Sequence, residues 1–414
     1  MDNKTKIPSN YKNSPLGLIP NDWEVMGLGE IGDFKNGINK DKEEFGHGYP
    51  FVGLMDVFDI PKVYTGEFSL VNTTENERRD FDLQKGDVLF VRSSVKPIGV
   101  GLSTLVCQDM LNTTFSGFLI RFRENGKLDF EYKAHCFYEE NFRQRLLNKS
   151  TISANTNINQ VALKSLKIPI PPLPEQKAIA SLLSTWDAAI QNNAQLIAQK
   201  EQYKKWLMQQ LLMGKKRLSG FKDEIKLKVV GQFLKEISER NKESKVSNVL
   251  SVTNSRGFIN QSDQFDRAVA SEDASNYKVV KKGQFAYNPS RVNVGSLDLL
   301  RNFEEGILSP MYVVFSTDEK HLLADFLYFQ LKTQWFYGHI PMFIQGSVRD
   351  SLSFDGLCSM KFFMPSIEEQ TAITQVLQAA DKEIQLLKAK NQQLRLQKKG
   401  LMQVLLTGKK RLKY

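Results

Sequence analysis

The stretch that decides the fold is IPIPPLPEQKAIASLLSTWDAAIQNNAQLIAQKEQYKKWLMQQLLMGKKRL, residues 168–218, because the chain contains it twice. The second copy, residues 362–412, reads FFMPSIEEQTAITQVLQAADKEIQLLKAKNQQLRLQKKGLMQVLLTGKKRL and aligns without a gap at an offset of 194. Of the 51 aligned pairs 22 are identical, which is far more than chance would give. A repeat near half the chain length indicates a tandem duplication, in which each half is a variable block followed by a repeated block.

Each repeated block predicts one long helix. Three prolines precede the first helix, where a fixed φ and a missing N–H are tolerated, and Gly214 and Gly408 close the two helices. The 39 residues from Glu175 to Met213 would span about 58 Å at about 1.5 Å per residue. An apolar stripe of that length requires a partner.

A coiled-coil seam runs along each predicted helix, with apolar positions at alternating spacings of four and three. The seam positions are Ile179, Leu183, Trp186, Ile190, Asn193, Ile197, Lys200, Lys204, Leu207 and Leu211 in the first copy. In the second copy they are Ile373, Leu377, Ala380, Ile384, Leu387, Asn391, Leu394, Lys398, Leu401 and Leu405. An antiparallel pair in symmetric register would set Asn193 against Asn391 and would fix the register there. The alternative is that each helix packs on its own domain and that the asparagines are solvated.

The charge of the chain is concentrated in the repeats. The 414 residues carry a formal net charge of +10, of which residues 168–218 contribute +4 and residues 362–414 contribute +6. This distribution indicates a polyanionic partner or simply a solvated cationic face. Three cysteines, the lack of a run of about 18 apolar residues and the polar amino terminus predict a reduced, cytoplasmic protein with no membrane segment.

The two variable blocks predict separate α+β domains. Short β-type runs lie at residues 49–53, 85–92 and 118–122 of the first block, and at 282–288 and 311–315 of the second. A helical stretch is predicted after the strands of each block, around Glu131–Leu147 and around Leu322–Phe336. The predicted divisions are therefore a first domain over 1–167, a helical region over 168–218, a second domain over 219–361 and a helical region over 362–414.

Catalytic patterns are absent from the sequence. The Gly-Lys-Lys segments lack the earlier glycine and the Ser/Thr of a Walker A loop, and the four histidines and three cysteines show no zinc spacing. The segment 288–291, Asn-Pro-Ser-Arg, superficially matches an amino-methyltransferase loop but lacks its aromatic residue, so we interpret it as a turn. We therefore expect a binding protein that has no catalytic residue and no metal site of its own.

The repeated motifs resemble the conserved regions of type I restriction–modification specificity subunits, the HsdS family. The resemblance lies in Pro-Pro-Leu-Pro-Glu-Gln at 171–176, in Leu-Met-Gln at 207–209 and 401–403, and in Gly-Lys-Lys-Arg-Leu at both ends. The opening Leu18–Val25 also resembles the usual amino terminus of the family, although the second repeat begins Met364-Pro365-Ser366 instead of Pro-Pro-Leu-Pro.

The resemblance implies a fold in which two target recognition domains are joined by two long helices in an antiparallel coiled coil, with pseudo-two-fold symmetry. It implies that each domain reads half of an asymmetric bipartite site in double-stranded DNA. The implied partners are two methyltransferase subunits, which use S-adenosylmethionine to methylate adenine N6, and two restriction subunits, which use ATP and Mg²⁺. This chain itself would bind no cofactor.

Two pairs of polar loops are the predicted DNA contacts, because Arg reads guanine and Asn or Gln reads adenine in the major groove. The first pair supplies Arg92, Ser93, Ser94 and Lys96 in one block and Asn288, Arg291 and Asn293 in the other. The second pair supplies Lys149, Asn155 and Asn157 in one block and Arg349 in the other. Residues 254–257, Asn-Ser-Arg-Gly, are a weaker candidate, and all of these segments could equally be polar surface turns.

Two other functions fit the same sequence. One is a specificity subunit for a fused nuclease–methyltransferase, which a neighbouring gene would reveal. The other is a scaffold whose coiled coil spaces two protein-binding domains. Sequence-selective DNA binding that weakens steeply with salt would distinguish a DNA reader from such a scaffold.

Overall fold

The structure is a computed structural model that describes residues 8–263, 274–344 and 351–413. The chain forms two compact units, one built from Met1–Asn193 with Lys390–Tyr414 and the other from Ala194–Ala389. Each unit therefore contains part of both repeated blocks.

The described residues of the first unit form fifteen strands, the helices between them and parts of the two long helices of the repeats. The strands are β1 (Tyr11–Ser14), β2 (Gly17–Pro20), β3 (Glu24–Gly27), β4 (Gly32–Asn36), β5 (Phe45–Val52), β6 (Lys62–Val63), β7 (Ser69–Val71), β8 (Val88–Val91), β9 (Ser93–Ser94), β10 (Ser103–Val106), β11 (Thr114–Phe115), β12 (Leu119–Glu124), β13 (Thr151–Ile152), β14 (Thr156–Asn157) and β15 (Lys167–Ile170). The helices are α1 (Glu75–Asp80), α2 (Lys133–Cys136), α3 (Glu140–Asn148), α4 (Gln160–Lys164) and the start of α5 (Leu173–Leu211).

The described residues of the second unit form ten strands on the same plan. The strands are β16 (Lys226–Val229), β17 (Leu234–Glu236), β18 (Leu250–Thr253), β19 (Gly257–Asn260), β20 (Lys278–Lys281), β21 (Phe285–Tyr287), β22 (Leu297–Leu299), β23 (Glu305–Leu308), β24 (Val313–Thr317) and β25 (Lys361–Met364). The helices are α6 (Ala324–Leu331), α7 (Gln334–His339), α8 (Phe354–Ser359) and the start of α9 (Ile367–Leu405).

The central sheets of the two units have the same strand order. The first is β4-β12-β8-β10-β6 and the second is β17-β24-β21-β22, so the first four strands correspond one to one. A separate antiparallel pair, β3 with β15, corresponds to β16 with β25. The duplication therefore extends through the variable blocks, although their sequences differ there.

Aromatic side chains fill the core beneath each sheet. In the first unit Phe34 stacks on Phe122 with ring centroids 4.7 Å apart, and Phe137 packs edge-on against Phe90 at 5.1 Å. In the second unit Phe285 and Phe315 lie on paired strands and stack at 4.9 Å. Aromatic contacts of this kind add about 0.5–1.5 kcal/mol to the burial of the rings themselves.

The predicted helix after the strands is broken in both units, so this prediction was wrong in detail. In the first unit α2 and α3 are separate because Glu139 is extended and its carboxylate accepts hydrogen bonds from the N–H groups of Asn141 and Phe142. In the second unit Thr333 caps α7 in the same way through the N–H of Phe336. A side chain that satisfies these free N–H groups starts a new helix.

The two long helices have the predicted length but begin two residues earlier than expected. Both α5 and α9 contain 39 residues, and α5 starts at Leu173 because Pro174 is accommodated in its first turn. Gly214 (φ 65°) and Gly408 (φ 71°) end them in the left-handed conformation, as predicted. The Gly214 N–H donates to the Leu211 carbonyl at 3.2 Å and the Lys216 N–H donates to the Gln210 carbonyl at 3.0 Å, so two carbonyls at the end of α5 are satisfied.

The predicted seam is the covered face of both helices. All twenty seam positions are buried or half-buried, whereas most positions between them along the middle of each helix are exposed. Ion pairs join the two helices within each unit: Lys398 to Asp187 in the first (Nζ–Oδ1 2.5 Å) and Lys204 to Asp381 in the second. These two pairs are equivalent, because Asp187 aligns with Asp381 and Lys204 with Lys398.

A second set of equivalent ion pairs lies at the ends of the two long helices. Glu175 at the start of α5 accepts a hydrogen bond from Nε of Arg411 at 2.6 Å, and Glu369 at the start of α9 accepts one from Nε of Arg217 at 2.6 Å. We call these two ion pairs the end clamps. In each clamp the glutamate comes from one repeat and the arginine from the other.

The neighbouring glutamines tie the helix starts to the variable blocks. Gln176 Nε2 donates to the carbonyls of Pro171 and Lys127, and its Oε1 accepts from the Asp129 N–H. Gln370 makes the same three bonds, to Pro365, His321 and Leu323. The Glu-Gln dipeptide of each repeat thus has a structural function that the charge count alone did not indicate.

Candidate nucleic-acid interface

A small three-stranded sheet brings the two predicted loops of the first unit side by side. Its order is β13-β14-β9, so the segment that contains Lys149 and Asn155 lies next to the segment that contains Ser93, Ser94 and Lys96. Thr156 pairs with Ser94, and Ile152 pairs with Thr156. About sixty residues separate the two loops in sequence, and the strand pairing makes them a single surface.

The polar residues of this surface differ in their exposure to solvent. Lys96, Lys149 and Asn155 are exposed. Arg92 is half-buried, with its guanidinium Nη1 3.3 Å from the Gly117 carbonyl. Ser93, Ser94 and Asn157 are half-buried members of the sheet, and Asn157 Nδ2 donates to the Asn155 carbonyl at 2.9 Å. The exposed lysines and Asn155 are therefore the groups that a ligand would meet first.

Three aliphatic side chains also project from this surface, and the sequence pattern did not identify them as candidate DNA contacts. Val95 is 80% exposed, Ile98 is 74% exposed and Ile152 is 80% exposed. Val95 directly follows β9 and Ile98 lies in the turn after it, which Arg143 holds against α3 because its Nη2 donates to the Ile98 carbonyl at 2.9 Å. The only signal in the sequence was the presence of β-branched residues inside otherwise polar loops.

The second unit presents a comparable loop. Arg291 and Asn293 are exposed, and Asn288 is half-buried with its Oδ1 accepting from the Ser290 N–H at 3.1 Å. The β18–β19 turn, the weaker candidate, lies against this loop: a Cβ at Gly295 would come within 2.2 Å of Asn254 Oδ1. Arg349 lies outside the described residues.

One backbone hydrogen bond joins the two predicted loop regions in the same way in both units. The Ile158 N–H donates to the Arg92 carbonyl at 2.9 Å, and the Leu352 N–H donates to the Pro289 carbonyl at 3.2 Å. Ile158 and Leu352 are related by the offset of 194, and each follows the second predicted loop of its block. In each unit, the residue that follows the second predicted loop is thus bonded to the first predicted loop, and the loop at 345–349 itself lies outside the described residues.

The exposed side chains of these surfaces are of the kinds that contact nucleic acid in other proteins. Lysine and arginine side chains contact phosphates, while asparagine, serine and aliphatic groups contact base edges. Among the residues that the structure describes, no group of histidine, cysteine, aspartate and glutamate could hold a metal ion. None of the helices in the described part of the chain is long and apolar enough to cross a membrane.

The two seam asparagines are both covered. Asn193 is buried, and Asn391 is half-buried with its Oδ1 out of contact with water. Within the described ranges that oxygen has no hydrogen-bond partner. Their role in fixing register stays a prediction.

Comparison with known proteins places the chain among restriction–modification proteins. The family model "Type I restriction modification DNA specificity domain" matches residues 20–202 and 299–396. The type I restriction enzyme MjaVIII specificity subunit of Methanocaldococcus jannaschii is 23% identical over 437 residues, covering 98% of this chain and 96% of that protein.

Two solved structures share the fold. The S subunit of a type I restriction–modification system from M. genitalium matches with a TM-score of 0.52 at 16% identity, covering 98% of this chain and 99% of that one. A chain from a structure of complex assembly and conformational transition in a type I restriction–modification system matches with a TM-score of 0.59 at 14% identity, covering 94% and 99%. Since the family model spans more than half of the sequence, the chain belongs to the type I restriction–modification DNA specificity family.

Proposed function

We propose that this chain is the subunit that reads a bipartite, asymmetric site in double-stranded DNA and that it carries no catalytic residue. The observation that supports this proposal is the equivalent backbone hydrogen bond that holds the first predicted loop of each unit, Ile158 to Arg92 and Leu352 to Pro289, while the loop residues differ. Two readers with one scaffold and different side chains suit a site whose halves differ in sequence.

The long helices would set the distance between the half-sites as an antiparallel coiled coil. Three features support this arrangement: the covered seam, the equivalent Asp–Lys ion pairs and the end clamps. The two residue numbers of each Asp–Lys pair sum to 585, and those of each end clamp sum to 586. The symmetric antiparallel register, which sets Asn193 against Asn391, predicts a sum of 584. A rigid helix pair holds a distance that a flexible linker would not hold.

The partners follow from the family and are part of the proposal. Two methyltransferase subunits with S-adenosylmethionine would methylate adenine N6, one in each half-site, and two restriction subunits with ATP and Mg²⁺ would complete the larger assembly. The proposal places this chain in the cytoplasm. A fused nuclease–methyltransferase partner would leave its role unchanged.

The test is to co-express the chain with its neighbouring methyltransferase gene and to map adenine methylation across the host DNA. The proposal predicts a split motif with a fixed gap that is methylated once per strand and is absent without this chain. A folded, assembled complex that adds no methylation, or that methylates a continuous motif, would contradict it.

A domain exchange assigns the half-sites. Replacing residues 219–361 with the corresponding block of a relative should change one half-site and leave the other intact. A change in both half-sites would contradict the assignment of one reader to each unit. The matched control is the same exchange of residues 168–218, which should leave both half-sites unchanged.

A further inference from the structure

We infer that the first unit reads a thymine through its C5-methyl group, with Ile152 and Val95 as the contacting side chains. This inference rests on the proposed function and extends it to the chemistry of one half-site. It starts from the aliphatic cluster Val95, Ile98 and Ile152, which we call the apolar tip.

The apolar tip is unusual for its exposure and its place. Single exposed aliphatic residues are ordinary on protein surfaces, but three that are 74–80% exposed around one small sheet form a patch. Strand pairing fixes their proximity, because Ile152 is opposite Thr156 and Thr156 is opposite Ser94, which immediately precedes Val95. Ser94 in turn lies against Gly99, next to Ile98, where a Cβ would come within 2.4 Å of its Oγ.

The side chains around the apolar tip are polar and cationic, which suits the major groove of a duplex better than an apolar protein surface. Lys96, Lys149 and Asn155 are all exposed beside it, so that cationic and amide groups border the aliphatic side chains. In the major groove the thymine methyl is the only apolar group on a base edge, and it lies between phosphates on both sides. Lysines for the phosphates, an amide for a base edge and an aliphatic residue for the methyl group therefore form one consistent set.

The backbone supports a defined contact. Ile152 and Val95 lie in or next to paired strands, and the turn that carries Ile98 is held by Arg143 from α3. β-branched side chains have few rotamers, so holding them against a methyl group costs little conformational entropy. Such a contact discriminates between bases by shape alone.

The test uses deoxyuridine, which differs from thymidine only by the missing methyl group. After the half-site of the first unit has been assigned by the block exchange, each of its thymines is replaced in turn by deoxyuridine. Binding of the assembled complex to the DNA is then measured. At least one replacement should raise Kd about fourfold, the effect of losing one buried methyl group.

Alanine variants identify the side chain. In Ile152→Ala or Val95→Ala the uracil penalty at that thymine should fall to less than about twofold, while overall binding persists. Leu111→Ala removes an aliphatic side chain that is 85% exposed in the same unit but outside the predicted loops, and it should leave the penalty unchanged.

Each remaining outcome is decisive. Equal binding of every uracil-substituted site by the unmodified chain overturns the inference, and so does a penalty that persists in both alanine variants. In those cases the split methylation motif, and with it the proposed function, is unaffected. A complex without sequence-selective DNA binding would contradict the proposed function as well.

Discussion

Glu175 and Arg411 form an ion pair across 236 residues of sequence, with Arg411 Nε 2.6 Å from Glu175 Oε1. The Glu175 carboxylate is completely buried, and its other oxygen accepts a hydrogen bond from the indole of Trp23 at 2.8 Å. Asp22 accepts one hydrogen bond from each Nη of Arg411, and this pairing lowers the pKa of Asp22. The bond to Glu175, followed by the bonds to Asp22, raises the pKa of Arg411. Removing the partner of such a buried charge strongly destabilises a protein, because the charge then stays buried without a counter-charge.

Arg411→Ala should therefore destabilise the protein by about 3 kcal/mol, because it leaves the buried Glu175 carboxylate without a counter-charge. Chemical denaturation measures the loss. Adding Glu175→Gln should restore part of it, since the neutral amide still accepts from Trp23. Lys245→Ala removes one member of an ion pair whose side chains are more than 70% exposed, and it should change stability by less than about 0.5 kcal/mol. An Arg411→Ala effect as small as this would contradict the burial argument.

Reversing a helix–helix ion pair should test the antiparallel register. Lys204→Asp and Asp381→Lys should each destabilise the protein, and the double variant should recover about 0.5–1 kcal/mol, typical of a partly exposed pair. Thermal denaturation of the four proteins measures this coupling. Combining Lys205→Asp with Asp381→Lys should give no recovery, because Lys205 is exposed on another face of α5. A parallel pairing would place Lys204 near Lys398 instead and would leave both combinations uncoupled.

Acid should weaken the first unit through His135. Burial, followed by the positive charge of Lys398, lowers the pKa of His135 from 6.5 to about 4, while Asp187 opposes the shift. The unfolded chain therefore takes up a proton more readily than the folded one. The stabilisation is complete above pH 6.5 and is lost as the pH falls towards 4, by up to about 3 kcal/mol.

Urea denaturation across that pH range measures the effect. His135→Gln, which can still bond to Ser184, should flatten the pH dependence, whereas replacement of the exposed His47 should not. Identical slopes for His135→Gln and the parent protein would show that His135 does not titrate in this way.

Replacing Asn193 and Asn391 with leucine should keep the helices paired but loosen their register. The Asn391 Oδ1 is buried without a hydrogen-bond partner in the described part of the chain, so leucine there should not cost stability. The expected result is methylation of sites whose gap is lengthened or shortened by one base pair. Unchanged selectivity for the gap would contradict a register role for the asparagines.

The repeat made much of the architecture predictable. Identical residues at an offset of 194 predicted two helices of 39 residues, and the glycines at 214 and 408 predicted their ends. The short β-type runs predicted two strands of each central sheet, β8 and β12 in the first and β21 and β24 in the second, but not the remaining strands. The break at Glu139 was missed because its carboxylate caps a helix through neighbouring N–H groups, a local bond that apolar periodicity does not report.

The site was predictable as loops but not as a surface. The sequence indicated residues 92–96 and 149–157, but their proximity depends on the pairing of β9 with β14, which no local pattern encodes. The exposure of Ile152 depends on the same pairing. The clamp between Glu175 and Arg411 likewise joins residues that local rules treat separately, as a helix start and a cationic helix end.

The end clamps also bear on how such a protein could diverge. Their four charged residues all lie within the repeated blocks, whereas the predicted DNA-contacting loops lie within the variable blocks. Mutations that alter the loops therefore leave these four residues untouched, and a new DNA preference requires no compensating change in them. Natural selection can then act on recognition and on assembly as separate traits, with Asp22 and Trp23 as the point where a variable block still constrains the helix ends.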